Sequence, residues 1–411
     1  MLARLYSGRG ANVIKSSTLI DVPMLKFNLL ASGARLSAAA ERYLFGTDEA
    51  QGQGARPVRT RSGVSGGLDV SLDDERKIFV NIPVNEAFAE SSPYELDSDG
   101  QDLWIGRRLQ NTRALCRPIP VPQYYSRDTV DGAQPLVRIA QMCSSDRLCY
   151  GMTGPGCRFW SRGQRCRYCS IGDNYDADSA RKAERHFLDV VDAAVNDAAR
   201  PARHLLIGGG TPRTSDMGAA MAARLTRSAK ARFDIPVYVM IAAPAENQSI
   251  DELYDSGVDE LGINLEFWSE DAWSSYIPGK QEVIGKERYL RALEYTASLF
   301  GPVRARSILI AGLEPPSETI RAVEYLARIG VMPILSPFRP LDGTMLAGAT
   351  GFTGQDYADL FAACRPIAAE FGLPLGPTCL PCQNNTLGLP PDVSISATPG
   401  LRRRRVYPDD I

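Results

Sequence analysis

The chain has 411 residues, 44% of them hydrophobic and 23% charged, the profile of a globular protein large enough for one domain with an extension or for two domains. Its net charge of −2 provides no bulk attraction to nucleic acid or membrane, and its apolar runs fall short of the ~20 residues that span a bilayer. Two histidines, His186 and His204, are too few for a histidine-rich metal site. Nine cysteines, and an opening Met1–Gly10 without a signal-like apolar region, point to a reducing cytoplasm and metal ligation rather than a disulfide framework.

Over the first 140 residues the pattern is irregular. Gly52–Gly67 is rich in Gly, Arg and Ser without periodicity and reads as a loop or linker. Lys77–Val84 reads as a short strand ending near a proline, and Asp102–Gly106 as another. Arg117–Pro122 carries alternate prolines, which remove ladder donors, so a central strand is not expected there. With no catalytic motif in view, residues 1–140 are expected to be an N-terminal extension that caps the fold or touches substrate.

From Leu136 the pattern changes. Leu136–Met142 and Leu148–Met152 read as strands, and Asp178–Ala199 as an amphipathic helix with Phe187, Val190, Val191, Ala194 and Val195 at helical spacing. Apolar strands at His204–Ile207, Val237–Ala242, Glu260–Glu266, Val303–Ile310 and Met332–Ser336 then alternate with helices at Met217–Arg232, Ile250–Ser256, Lys286–Phe300, Ser317–Ile329 and Asp356–Phe371. Strands without polar alternation, separated by helices, predict a parallel sheet covered by helices. About six such units predict an α/β fold of the partial TIM-type (β/α)6 kind over residues 141–350. Residues 351–411 would add a C-terminal helix, a cysteine-containing lid segment and a tail whose basic run, Arg402–Arg405, is expected to be solvated. Ligands of such sheets gather at the carboxyl ends of the strands.

The densest chemistry sits in one loop. Cys157, Cys166 and Cys169 follow the Leu148–Met152 strand with the spacing C-x8-C-x2-C. The last two alone suit a redox dithiol, half a zinc site or part of an iron–sulfur site. A closed structural zinc site wants a fourth protein ligand, whereas three thiolates on a [4Fe–4S] cluster leave one iron open. Further along, Gly208-Gly209-Gly210-Thr211 ends a strand where glycines admit close backbone approach to a ligand. In an extended strand Asn264 and Glu266 point to one face.

A triplet ending in Cys-x-aromatic-Cys at the start of a βα repeat resembles the cluster loop of the radical S-adenosylmethionine (SAM) superfamily. The later strand ends resemble its biotin-synthase-like group, so the likeness covers about residues 147–345. The usual family spacing is C-x3-C-x2-C, and the first gap here is five residues longer. The resemblance implies that Cys157, Cys166 and Cys169 ligate a [4Fe–4S] cluster with Tyr168 beside it. It implies that Gly208, Gly209, Gly210 and Thr211 contact the SAM amino group and that Asn264 and Glu266 hold the ribose. Arg306 or Ser307 would reach the SAM carboxylate, and Ser336 or Phe338 would flank the adenosine. The implied activity is reductive cleavage of SAM to a 5′-deoxyadenosyl radical that takes hydrogen from a small-molecule substrate, in a biosynthetic role. A reducing partner such as flavodoxin or ferredoxin would supply the electron, without nucleic acid or membrane as a partner.

Three features lie outside that frame. Cys379 and Cys382 form a second C-x-x-C after the repeats, suited to an auxiliary cluster, an electron shuttle, a radical-quenching thiol or simple cavity lining. Cys116 and Cys364 read as core. The long gap Arg158–Arg165 would bulge toward the open end of the barrel, offering Phe159, Trp160 and its arginines to a substrate or redox partner, or packing on the N-terminal extension. Two other classes compete: a zinc-dependent barrel hydrolase or lyase, opposed by the shortage of histidines, and a non-catalytic cluster-bearing scaffold.

Overall fold

The computed structural model of the chain describes residues 20–46, 67–108, 110, 112–153, 156–160, 163–174 and 184–395. The loop read at Gly52–Gly67 lies outside them except for Gly67, and so does Arg402–Arg405. The chain opens with α1 (Val22–Ser32), β1 (Arg35–Leu36), α2 (Ala38–Phe45), β2 (Gly67–Asp73), β3 (Ile78–Pro83), α3 (Ala87–Glu90), β4 (Tyr94–Ser98), β5 (Leu103–Arg107) and β6 (Arg113–Pro118). These strands form a six-stranded sheet in the order β1-β4-β5-β6-β2-β3. The prolines of Arg117–Pro122 do touch an interior strand: β6 pairs with β5 through Arg113–Cys116 and with β2 through Arg117 and Pro118. The strand stops there, where the alternate prolines begin to remove donors.

The second sheet is the barrel. It comprises β7 (Ala140–Met142), β8 (Arg147–Gly151), α4 (Glu184–Val195), β9 (His204–Gly208), α5 (Ala219–Lys230), β10 (Val237–Ile241), α6 (Gln248–Asp255), β11 (Glu260–Ile263), α7 (Glu270–Tyr276), α8 (Pro278–Val283), α9 (Lys286–Phe300), β12 (Ala305–Ala311), α10 (Pro316–Arg328) and β13 (Met332–Pro337), and α11 (Gly354–Glu370) follows. The strand order β13-β12-β11-β10-β9-β8-β7 makes β8 to β13 six parallel neighbours, with β7 antiparallel at one edge. The fold is therefore α/β, a partial (β/α)6 barrel. Leu136–Met142 divides: Leu136–Arg138 makes a 3₁₀ turn that buries Leu136 before the chain extends into β7. No described helix is long and apolar enough to cross a membrane.

The helices form for the reasons their spacing suggests. The apolar stripe of α4 buries Phe187, Val190, Val191 and Ala194 against the sheet. Thr353 caps α11 in a reciprocal exchange with Asp356. Inside the sheet, alternate residues point to a cavity of about 90 Å³ lined by Cys149, Leu206, Tyr238, Met240, Ile308 and Ser336 among others. One disulfide joins Cys143 to Cys149 across the β7–β8 hairpin, whose pairing sets their Cα atoms 5.9 Å apart. This departs from the thiols-only reading: Cys149 pairs with Gln141 in the ladder, and Cys143, which follows β7, lies diagonally across the hairpin within bonding reach of it. Cys116 and Cys364 are buried thiols.

After α11 the segment 376–388 returns along the free edge of β13, where Gly376 and Leu387 donate backbone N–H groups to the carbonyls of Pro333 and Leu335. Lys26 of α1 holds it from the other side, donating to the carbonyls of Gln383 at 2.8 Å and Gly388 at 2.5 Å. Burial pushes the Lys26 amine down to about 7, and a neutral amine still has two N–H donors for two carbonyls. Because the folded value lies below the unfolded one, the unfolded chain holds that proton more tightly, and the Lys26 contribution to stability grows as pH rises from about 7 toward the ordinary lysine value of 10.5. Denaturant unfolding of the wild type and Lys26→Met at pH 7 and pH 9 checks this. The stability difference should move in favour of the wild type at the higher pH, and a shift the other way contradicts the assignment.

Candidate functional site

The cysteine loop leaves the carboxyl end of β8, beside the glycine turn at the end of β9. Thr153 donates its hydroxyl to the Gly209 carbonyl at 3.1 Å. Gly210, at φ +70°, leaves no room for a side chain, because a Cβ there would lie 2.3 Å from the Thr153 hydroxyl. The Arg158 amide donates to the Thr211 carbonyl at 2.7 Å, and the Thr211 amide points at the Cys157 sulfur at 3.3 Å. The Ile171 amide points at the Cys169 sulfur at 3.5 Å. Two of the three sulfurs thus already face backbone N–H donors. Burial pushes the Cys169 thiol up to about 12 and Cys166 well above its ordinary value, against the pull of Lys280 on Cys166. Deprotonating these thiols requires a strong local positive charge, which a bound metal provides.

Beneath the loop lies a buried ion pair. Lys280 of α8 reaches Glu266 Oε1 at 2.7 Å, and their side chains are 13% and 9% exposed. Burial works to lower Lys280, but the Glu266 carboxylate outweighs it and holds the amine well above its usual value. Tyr168 is half-buried beside this pair, its hydroxyl pushed up by desolvation and by the Glu266 charge. Glu266 sits at φ +69° in a three-residue turn closed by the Phe267 amide on the Leu265 carbonyl, just past the end of β11. Its Oε2 is buried with no hydrogen-bond partner.

Asn264, Ser307 and Arg306 each have partners of their own within the sheet. Asn264 accepts from the Ile308 amide at 3.2 Å and donates toward Met240 Sδ. Ser307 is fully buried and accepts from the Leu265 amide at 2.9 Å. Arg306 faces the lumen near the start of β12, ion-paired with Glu260 and stacked over the Tyr238 ring. The structure therefore joins Cys157 with Thr211, and Tyr168 and Cys166 with Glu266. It places Arg306 and Ser307 near the beginning of their strand. Ser336 lines the cavity and Phe338 is buried.

Sequence reasoning missed α7 and α8, and with them Lys280. They also account for the long first gap. Gly279 donates its amide to the Gln164 carbonyl, and the Arg167 amide donates to the Tyr276 carbonyl at 2.8 Å. Phe159 is buried against Gly279 and Trp160 packs on Gly172, while Arg165 lies over the Trp160 ring. The described part of the spacer is packed onto α8 and its own loop rather than onto the N-terminal extension; Arg162 lies outside the described residues.

Residues 153–331 match the family described as the radical SAM superfamily. The chain carries a radical SAM domain. The cofactors that define that superfamily are a [4Fe–4S] cluster and SAM. A bacteriochlorophyllide c C-7(1)-hydroxylase of Chlorobaculum limnaeum is 29% identical over 101 residues, 24% of this chain and 25% of that protein, so the match spans about a quarter of the hydroxylase. Among solved structures, SuiB of Streptococcus suis bound to SAM aligns with a TM-score of 0.39 and 13% identity, over 57% of this chain and 51% of that one. Methylornithine synthase (PylB) aligns at 0.43 and 11% identity, over 67% of this chain and 83% of its own.

Removing one partner of a buried ion pair strands the other charge, at a cost of about 3–5 kcal/mol, whereas neutralising both is far milder. Lys280→Met should therefore lower the unfolding free energy by about that amount, and Lys280→Met/Glu266→Gln should recover most of it. Equal losses in both variants would mean that the pair is not the stabilising feature.

Proposed function

We propose that this chain is a radical SAM enzyme in which Cys157, Cys166 and Cys169 hold the [4Fe–4S] cluster and the strand ends around Gly208–Thr211 and Glu266 receive SAM. The observation that carries this reading is the meeting of the three-thiol loop with the glycine turn. Cys157 and Thr211 are bonded there at the carboxyl end of adjacent parallel strands, within residues that match the superfamily. The donor set fits the group, since three cysteines without a histidine suit an iron–sulfur cluster with one open iron. Bound together, cluster and SAM supply a 5′-deoxyadenosyl radical able to abstract hydrogen from substrate once one electron is delivered by a reducing partner.

The chain's own residues bind, orient and exclude water. Gly209 and Gly210, both at positive φ, let the chain make the turn that sets Thr211 against Cys157. Glu266 keeps Oε1 on Lys280 and has Oε2 left as an acceptor suited to a ribose hydroxyl. Lys280 holds Oε1 of that carboxylate in place. Asn264 acts through Ile308, steadying the middle of β12 beside it, and therefore serves as a positioning residue. Phe159, Phe267 and Trp273, all buried, wall the loop from water. A partly closed barrel of this kind suits a small-molecule substrate.

Replacing Cys157, Cys166 and Cys169 together by Ala, followed by anaerobic reconstitution with iron and sulfide, should remove the visible charge-transfer band and about four irons per chain. Retention of both would mean that other cysteines hold the cluster. In the stable Lys280→Met/Glu266→Gln background, SAM affinity measured by calorimetry should fall about tenfold or more, as expected for a lost hydrogen bond to a charged group, while iron content stays unchanged. Undiminished affinity would remove Glu266 from the site.

A further inference from the structure

At the opposite end of the barrel four side chains from three distant parts of the chain converge. Asp146 immediately precedes β8, His204 opens β9, and Cys379 and Cys382 lie on the segment that runs along β13. Their ligand atoms all lie within 4.8 Å of one another. His204 Nε2 is 3.0 Å from Cys382 Sγ and 3.9 Å from Cys379 Sγ, and Cys379 Sγ is 3.9 Å from Asp146 Oδ1. We propose that Asp146, His204, Cys379 and Cys382 bind one zinc ion, which fastens the C-terminal segment across the amino-terminal ends of β8 and β9.

The geometry suits a single ion. Zn–S bonds of about 2.3 Å and Zn–N or Zn–O bonds of about 2.0–2.2 Å, at tetrahedral angles, separate ligand atoms by roughly 3.3–3.8 Å. The observed separations bracket that range, so small side-chain rotations complete the shell. Four donors crowded at one point leave no space for a multi-iron cluster. Two thiolates, an imidazole and a carboxylate form the mixed set zinc accepts in a closed site. Cys143 and Cys149, which line the neighbouring cavity, are bonded to each other and so are withdrawn from ligation.

The surroundings balance the charge. Two thiolates and one carboxylate carry three negative charges, which a Zn²⁺ ion and one further cation neutralise. Arg147 is that cation: its guanidinium is buried beside Cys382, Cys379 and Asp146, and its Nε has no hydrogen-bond partner. Ser144 supports the ligands, with its hydroxyl 3.3 Å from Asp146 Oδ1 and 3.8 Å from Cys382 Sγ. The site shares no residue with the loop at Cys157–Cys169, so its occupancy and that of the cluster are independent.

The test measures metals in the full-length chain. Zinc and iron are determined by mass spectrometry in the wild type and in the Cys157/Cys166/Cys169→Ala variant, purified under reducing, anaerobic conditions. About one zinc per chain is expected in both, whether or not the iron is present. Growth with Co²⁺ in place of Zn²⁺ should give thiolate-to-cobalt charge-transfer and tetrahedral visible bands in the wild-type chain, a readout that needs no variant. His204→Ala should weaken Zn²⁺ binding by at least about tenfold, since even outer partners of zinc ligands are worth that much. Zinc at background together with no cobalt–thiolate band would overturn the proposal. So would a Cys379–Cys382 disulfide in the reduced preparation, or iron in the triple variant that is lost when Cys379 and Cys382 become Ser.

Discussion

A parallel sheet that stops at six strands leaves two edges whose backbone groups need partners. In this chain the edge at β8 is paired by the short antiparallel β7, and the edge at β13 by segment 376–388. Much of the remaining architecture serves those two closures. Lys26 lies buried beneath the returning segment, giving its donors to two of the segment's carbonyls. Asp69 of β2 accepts from Arg200, which precedes β9, from Asn81 of β3 and from Asn384 of the segment. One carboxylate thus ties the N-terminal sheet, the barrel and the C-terminal segment together. The main hydrophobic cluster likewise runs without a break from α1 through both sheets to α11. Such continuity explains how a sheet open on one side encloses a lumen.

The two ends of that lumen differ in chemistry. At the carboxyl ends of the strands stand thiols, a glycine turn and one buried ion pair, the ingredients of a site that binds and orients. At the amino-terminal ends stand a carboxylate, an imidazole and two thiols that meet because the returning segment lies across them. Arg306 belongs to the latter half: its partner Glu260 opens β11, and Arg306 shares the cavity lining with Cys382. In parallel barrels the first end carries activity and the second carries stability. The distribution of charged side chains here follows that division.

The barrel was legible because its strands are continuous apolar runs between amphipathic helices, a pattern set by burial on both faces. The cysteine loop and the glycine turn were legible because local spacing carries their chemistry. Glu266 shows where alternation fails. β11 ends at Ile263, and Glu266 adopts a left-handed conformation in a tight turn, so an extended i, i+2 relation to Asn264 does not hold. For Arg306 and Ser307 the inward face could be fixed only by register, which makes Arg306 the lumen residue. Of the small strands, β5 was legible as Asp102–Gly106, whereas β4 and β6 escaped notice because they are short and polar on one face. Cys379 and Cys382 announced themselves as C-x-x-C, but their companions Asp146 and His204 lie more than 170 residues away, and neither has a local signature.

The long spacer between Cys157 and Cys166 poses a physical question: how a loop with five extra residues presents its thiols reproducibly. Entropy alone does not forbid it, since closure cost grows only logarithmically with loop length. Order must still come from contacts, and α7 and α8 supply them. Gly279 is a glycine where a side chain would strike the Gln164 carbonyl at 2.4 Å, so helix and spacer pack backbone to backbone. Gln164 adds a side-chain bond to Glu282 at 3.0 Å, and Phe159 fills the space beneath. From the same helix Lys280 reaches Glu266. The insertion that braces the thiol loop therefore also positions the carboxylate beside it, and neither feature can shift without the other.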